Sequence, residues 1–439
     1  MQTAPKKVIN AWAMYDWANS VYNLVITTTF FPIYFLAVTK RPEWDNGEAV
    51  PFLGGTFRNS SLYDYCLAFA YFLVAISYPV LTSIADTRGS KKKFLQFFCY
   101  MGALGCSSLY FFAGEDLWVG VLGLILGASG YAGSLVFYNA YLPEIAAPKD
   151  RDRISAKGYS MGYIGSVILQ IIGFVLVVSM AGNEGMATRI TFLLVGIWWF
   201  SFAQITFKGL PASESKDVVR GNVFSDGFKE IGNVYREVKT MPVLKRFLRG
   251  FFFYSMGVQT VMLAATQFGS KVLALPDTNL IITVVLIQLV AIPGAIMMSR
   301  LSGKFGNLVV LMGVVFLWIG ICIAAYSTVQ FKESGGNAET AFYGLAIAVG
   351  LVMGGIQSLS RSTYSKLMPH TKDTASYFTY YDFSEKIAIV LGLFTFGFVD
   401  GMLGMKYSVL FLIVFFAIGL MWLYAARFWQ KRNTQPMAA

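Results

Sequence analysis

LVVLMGVVFLWIGICIAAYSTVQ, residues 308–330, carries no charged side chain and no proline. As a helix it would run for ~35 Å at ~1.5 Å per residue, enough to cross a bilayer core ~30 Å thick. Inside that core no water satisfies backbone N–H and C=O groups, so a spanning segment must be a helix or a barrel strand. A run this long is not a strand. Similar runs recur along all 439 residues, of which 56% are hydrophobic and only 13% charged; soluble chains carry about 25% charged residues. The expected class is an all-α polytopic membrane protein with twelve transmembrane helices in two six-helix bundles.

The first six spans are expected at 15–38, 62–85, 94–113, 117–142, 158–180 and 189–207. The second six are expected at 247–272, 279–298, 308–330, 340–367, 376–401 and 407–428. With both termini in the cytoplasm, cytoplasmic segments hold 27 of the 35 Lys and Arg residues and outer loops hold seven, while Lys386 lies within a span. That asymmetry is the positive-inside pattern. It accounts for the net charge of +11 as orientation and contact with anionic lipid, without nucleic acid. No cleavable signal peptide is expected, because the first span is too long for a signal core and lacks a clear cleavage site. Cys66, Cys99, Cys106 and Cys322 all fall within spans, as small packing residues.

Residues 209–246 separate an N-terminal bundle (1–208) from a C-terminal bundle (247–439). Within this linker Phe224, Phe228, Ile231, Tyr235 and Val238 recur at helical spacing. They predict an amphipathic helix, either on the inner membrane surface or against the cytoplasmic ends of the spans. The halves repeat one another. Gly89 follows the second span as Gly306 follows the eighth, and Pro143 ends the fourth as Pro369 ends the tenth. Such repeats are the mark of an alternating-access carrier with its substrate site at midplane between the repeats.

The loop after the second span, with Asp86, Arg88, Gly89, Lys91 and Lys92, resembles the signature of the major facilitator superfamily. There it braces the outward-open state, which makes Asp86, Arg88 and Gly89 candidate gate residues. The second copy has Gly303 where the acid would stand. A narrower resemblance rests on DWANSVYN (16–23), TTTFFPIYF (27–35), FYNAYLPE (137–144), GYSMGYIGS (158–166), GGIQSLSRSTYSKLMP (354–369) and YFTYYDFSEK (377–386). Together these resemble the autophagy-related vacuolar amino-acid effluxer-like branch, the "unknown major facilitators". The resemblance implies the major facilitator fold and, from fungal members, amino-acid release from the vacuole; the fold transfers more readily than the substrate.

Polar side chains inside spans mark candidate sites, since a mid-bilayer charge costs about 2.5–3.5 kcal/mol unless it faces a cavity or a partner. Asp16, Asn19, Asn23 and Thr27 line one face of the first helix at steps of three, four and four. A face of acid and amides suits a zwitterionic or polyol substrate. Asp16 is alternatively a charge at the helix start or a gate partner. Gln170 lies deep in the fifth helix, whose Gly158, Gly162 and Gly165 suit close helix packing. Gln259 and Gln267 on the seventh helix, Gln288 on the eighth and Gln357 on the tenth are cavity candidates or interhelical hydrogen-bonding groups. Arg361 either clamps a substrate carboxylate, snorkels to the inner surface, or pairs with Asp16. Asp382 and Lys386, at i and i+4, suit an intrahelical pair. Glu385 is then the less compensated acid and the candidate proton carrier, with Asp16 and Asp382 beside it; the alternative is a salt-bridge network at the cytoplasmic mouth. Trp12, Trp17, Trp44, Trp118, Trp422 and Trp429 are expected as interface anchors.

The function expected is a secondary transporter moving a small polar solute, amino acids first, by alternating access with proton coupling. The alternative is a lipid or amphiphile flippase or exporter on the same fold. No nucleotide-binding loop is present to drive a pump. A single histidine, His370, and no metal-ligand spacing argue against an enzyme and against a metal or other cofactor. The expected partners are the substrate, the bilayer and protons, with the chain acting as a monomer. The expected location is a bacterial inner membrane, or a vacuolar membrane if the chain is eukaryotic.

Overall fold

The computed structural model describes residues 2–40, 49–88, 90–114, 116–212 and 223–434, apart from the side chains of Ser60, Thr87, 223–228, Ile231, 277–278 and 433–434. The elements run α1 (Lys6–Val21), a π-helical stretch (Tyr22–Phe30), α2 (Phe31–Val38), β1 (Ala49–Phe52), β2 (Gly55–Arg58), α3 (Asn59–Arg88), α4 (Lys91–Ser108), α5 (Leu117–Ala140) and the single turn α6 (Leu142–Ile145). They continue with α7 (Arg151–Ser179), α8 (Glu184–Gly209), α9 (Val223–Thr240), α10 (Pro242–Gln267), a second π stretch (Phe268–Val272), α11 (Asp277–Phe305), α12 (Asn307–Glu333), α13 (Ala338–Leu367), α14 (Thr374–Leu403) and α15 (Met405–Thr434).

Eleven described segments are long and apolar enough to cross a membrane, and the chain is an all-α polytopic membrane protein. α10 is long enough at 26 residues, but Ser255, Gln259, Thr260 and Gln267 dilute its apolar run. The one sheet among the described residues is the hairpin β1–β2, paired antiparallel with Phe52 opposite Gly55. Leu53 and Gly54 both take positive φ, which is what a two-residue hairpin turn matched to strand twist requires.

The chain forms two compact units. One holds residues 5–141 and 161–228; the other holds the residues up to Ala4, Leu142–Ser160 and Lys229–Ala439. Thus Leu142–Ser160, from the first half of the sequence, folds with helices of the second, and α7 contributes to both units. In the first unit α4 meets α5 where Gly102 faces Gly130; a Cβ on Gly130 would meet the Gly102 backbone. Gly162 and Gly165 of α7 likewise press on Ser20 and Trp17 of α1. In the second unit a Cβ on Gly354 of α13 would meet the Ala291 carbonyl of α11. Small residues let helices approach closely where lipid supplies no hydrophobic drive.

Two expectations are refined. Trp12 is not an interface anchor: it is fully buried, stacks on Tyr138 at 4.5 Å and donates to the Tyr138 carbonyl. An indole whose N–H finds a protein acceptor gains more from the core than from the headgroup layer. Trp44 lies outside the described residues. The linker helix α9 lies against the start of α14, with Val234 and Val238 buried and Glu230 accepting a 3.0 Å bond from Ser376. That is the second of its two expected placements.

Candidate functional site

In the first unit the polar face of α1 runs into the π stretch. At its centre is the Leu24 carbonyl, which accepts from the hydroxyls of Thr28 (2.9 Å) and Thr29 (2.8 Å) and from Gln170 Nε2 (3.1 Å). Gln170 is fully buried and also donates to Thr29 Oγ1 at 2.7 Å. Tyr63 donates to the Thr27 carbonyl at 2.9 Å. Such π segments occur often at functional positions. Here side-chain hydroxyls and one amide converge on the widened turn.

Asn19 and Thr27 stand beside this network without joining it. Both are buried, and Asn19 Nδ2 and Thr27 Oγ1 have no hydrogen-bond partner. The Tyr22 hydroxyl is in the same condition. Buried polar atoms are nearly always paired; unpaired ones occur elsewhere too, at Tyr15, Trp17 and Thr260 among others, and these three fall within nine residues. Asn23 is half-buried. Asp16 is buried and accepts a 2.7 Å bond from the Tyr138 hydroxyl. Among the gate candidates, Asp86 is buried and paired with Lys91 at 3.1 Å, and Arg88 is exposed. Gly89 lies outside the described residues.

In the second unit α14 presents Asp382, Glu385 and Lys386 together. Lys386 Nζ lies 3.6 Å from both carboxylates, and Gln259 of α10 donates to Glu385 Oε1 at 2.9 Å. One ammonium between two acids leaves the trio one negative charge in excess. Gln357 accepts from the Tyr159 hydroxyl at 3.4 Å and reaches Met262 Sδ at 3.4 Å. Arg361 is buried. It donates through Nε to Ser155 Oγ and through Nη2 to the Ser155 carbonyl, both at 2.9 Å, and its guanidinium lies 4.2 Å from the Tyr159 ring centroid.

The strongest polar cluster contains residues the sequence reading passed over. Asp152, near the start of α7, accepts from Ser302 Oγ (2.7 Å), Asn307 Nδ2 (2.7 Å) and Lys366 Nζ (2.5 Å). Lys366 also donates to Asn307 Oδ1 at 2.9 Å. Arg151 donates to the carbonyls of Ala146 (3.0 Å), Pro143 (3.2 Å) and Ser365. Ser155 donates to the Ser358 carbonyl at 2.8 Å, and Thr374 donates to Glu144 at 2.6 Å. This clasp ties Leu142–Ser160 to α11–α14. Ser302 and Asn307 flank the segment where Gly303 replaces the acid of the repeated loop motif, and the carboxylate they hold comes from α7 instead. The available signal was a motif copy lacking its acid, set against a basic loop that carries two, Asp150 and Asp152.

The model of the family described as "Vacuole effluxer Atg22 like" matches residues 4–435. An uncharacterized MFS-type transporter, YxiO of Bacillus subtilis, is 30% identical over 94% of this chain and 92% of its own length. Autophagy-related protein 22 of Eremothecium gossypii is 24% identical over 94% and 89%. Among solved structures, the human organic anion transporter MFSD10 superposes with a TM-score of 0.71 at 11% identity, covering 95% of this chain and 100% of that one. The proton:xylose symporter XylE superposes with a TM-score of 0.69 at 13% identity, covering 97% and 95%. These likenesses give the fold.

Proposed function

From the premise that the chain belongs to the vacuole effluxer Atg22-like family of major facilitator transporters, we propose that it carries amino acids by alternating access, coupled to protons. It is a multi-pass membrane transporter, not an enzyme. The observation that carries the substrate class is the set of unpaired buried groups at Asn19, Tyr22 and Thr27 beside the π stretch. An amide and two hydroxyls can each donate to a carboxylate, and a zwitterion brings one. The effluxer description of the family supports the same reading. Asn19, Asn23, Thr27 and Gln170 are the proposed substrate-facing residues of the first unit, and Gln259, Gln357 and Arg361 those of the second. Arg361 positions Ser155 and Tyr159 in the form described here.

Glu385 is proposed as the proton carrier. Its partners, an amide and a shared ammonium, leave the trio's excess charge available for neutralisation. The lysine and arginine distribution supports cytoplasmic termini, and the likeness to a Bacillus subtilis transporter supports a bacterial plasma membrane.

Counterflow of a labelled amino-acid mixture in proteoliposomes tests the substrate without an imposed ion gradient. Exchange above protein-free vesicles is expected. Glu385→Gln is expected to keep counterflow and lose gradient-driven uptake. No exchange by folded native protein would remove the amino-acid reading and bring lipids and other amphiphiles forward.

A further inference from the structure

α11 has two unlike faces. Ala291, Gly294, Ala295, Met298 and Ser302 are buried; of these, Gly294 presses on the Leu351 backbone of α13 and Ser302 holds Asp152. The opposite face is a groove of about 370 Å³ lined by Pro293, Ile296, Met297, Arg300, Leu301 and Lys304. Their spacing of three, one, three, one and three is a single helical stripe. Every residue of the groove lies on this one helix.

We propose that this stripe is a binding site for one anionic phospholipid. Its upper part is cationic. Arg300 and Lys304 stand one turn apart and exposed, and among the described residues neither side chain forms an ion pair or a hydrogen bond. Like charges at i and i+4 repel on a helix unless an anion sits between them. Three other cations of the same unit are already engaged: Arg246 stacks on Trp429 at 4.4 Å, Arg249 on Trp422 at 4.6 Å, and Lys366 holds Asp152. The lower part is apolar, with Ile296 40% and Met297 37% exposed beside Pro293. From Pro293 to Lys304 the helix rises ~16 Å, about the hydrocarbon depth of one leaflet. A charged head above one leaflet's depth of apolar surface is the outline of a phospholipid, and the two cations select an anionic one.

The site bears on transport because the two faces share a turn. Ser302, between Arg300 and Lys304 in sequence, donates to Asp152. An anion that neutralises the outer face steadies the turn from which the clasp is built. This inference rests on the membrane fold and not on the identity of the transported solute.

Native mass spectrometry of the full chain, with phosphatidylglycerol and phosphatidylcholine supplied equally, reads the site directly. The native protein is expected to retain one phosphatidylglycerol preferentially. The double variant Arg300→Gln/Lys304→Gln is expected to lose that preference at least tenfold. Lys6→Gln/Lys7→Gln, an equal charge loss elsewhere, is expected to keep it. Thermal unfolding in mixed micelles gives a second reading: phosphatidylglycerol raises the midpoint of the native chain and not of the Arg300/Lys304 variant. Equal retention of both lipids by the native protein, or undiminished preference in that variant, overturns the proposal. A midpoint rise with inorganic phosphate alone also overturns it, by making the groove a site for a soluble anion.

Discussion

The clasp around Asp152 and the polar row around Asn19 are both buried and both polar, and they are built to opposite ends. Asp152 accepts three hydrogen bonds, and its partners Lys366 and Asn307 also bond each other. Asn19 Nδ2 and Thr27 Oγ1 have none. A satisfied network in a low dielectric fixes one arrangement, while an unsatisfied group carries a desolvation cost until something binds it. The difference separates a contact that holds one arrangement from a surface proposed to take a ligand. Substitutions at the two places should therefore move different observables.

Asp152→Asn should have the largest effect, on stability. It strands Lys366 and should cost about 3 kcal/mol, the low end for breaking a buried pair, because Lys366 keeps 23% exposure. The thermal unfolding midpoint in detergent should fall clearly. Adding Lys366→Met should recover part of the loss, since removing both charges is gentler than removing one. A single variant as stable as the native chain would mean the clasp does not hold the fold.

Much of this molecule is legible from its sequence, because bilayer thickness is a physical ruler. Runs such as Leu308–Gln330 can be little else but spans, and the glycines at 162, 165 and 354 announce close approaches that the structure contains. The clasp was not legible. Arg151 and Asp152 sit in a basic loop that the positive-inside count absorbs as an orientation signal, and that count does not ask which charges find partners. The π stretch was not legible either. Residues 25–29 are five β-branched side chains in a row, which lowers helical propensity but does not announce a π turn, and Asp16, Asn19, Asn23 and Thr27 fit a regular α period. The widened turn is met by the local hydroxyls of Thr28 and Thr29 and by tertiary contacts from Gln170 and Tyr63, and the tertiary ones are not readable from the stretch itself. It interrupts the regular α period between Asn19 and Thr27, and Asn23 is half-buried where Asn19 and Thr27 are fully covered.

Asn19→Leu should sharpen the comparison from the other side. Replacing an amide whose Nδ2 is buried without a partner, and whose Oδ1 accepts only a long 3.5 Å bond from Ser20, with an apolar side chain of similar size removes a desolvation cost, so stability should hold or rise. Exchange should nevertheless fall about tenfold, the loss of ~1.4 kcal/mol of substrate binding. Initial rates of counterflow and the unfolding midpoint, measured on the same preparation, give both numbers. Stability and exchange falling together would place Asn19 with the structural network instead.

Thr29→Val should have the smallest effect, and it probes the seam between the two kinds of region. Thr29 donates to the Leu24 carbonyl and accepts from Gln170. Valine keeps the β-branched shape and its helical rotamer preference but carries no hydroxyl. Neither partner is left bare, because Leu24 O retains Thr28 and Gln170, and Gln170 retains Leu24 O. The cost should then be about 1 kcal/mol, the low end for the two hydrogen bonds removed because each partner keeps another, with exchange nearly unchanged. A loss of exchange as large as that of Asn19→Leu would carry a different meaning. It would show that this hydroxyl holds the widened turn in register, and that the unpaired groups at Asn19 and Thr27 face their ligand only while the π stretch is intact.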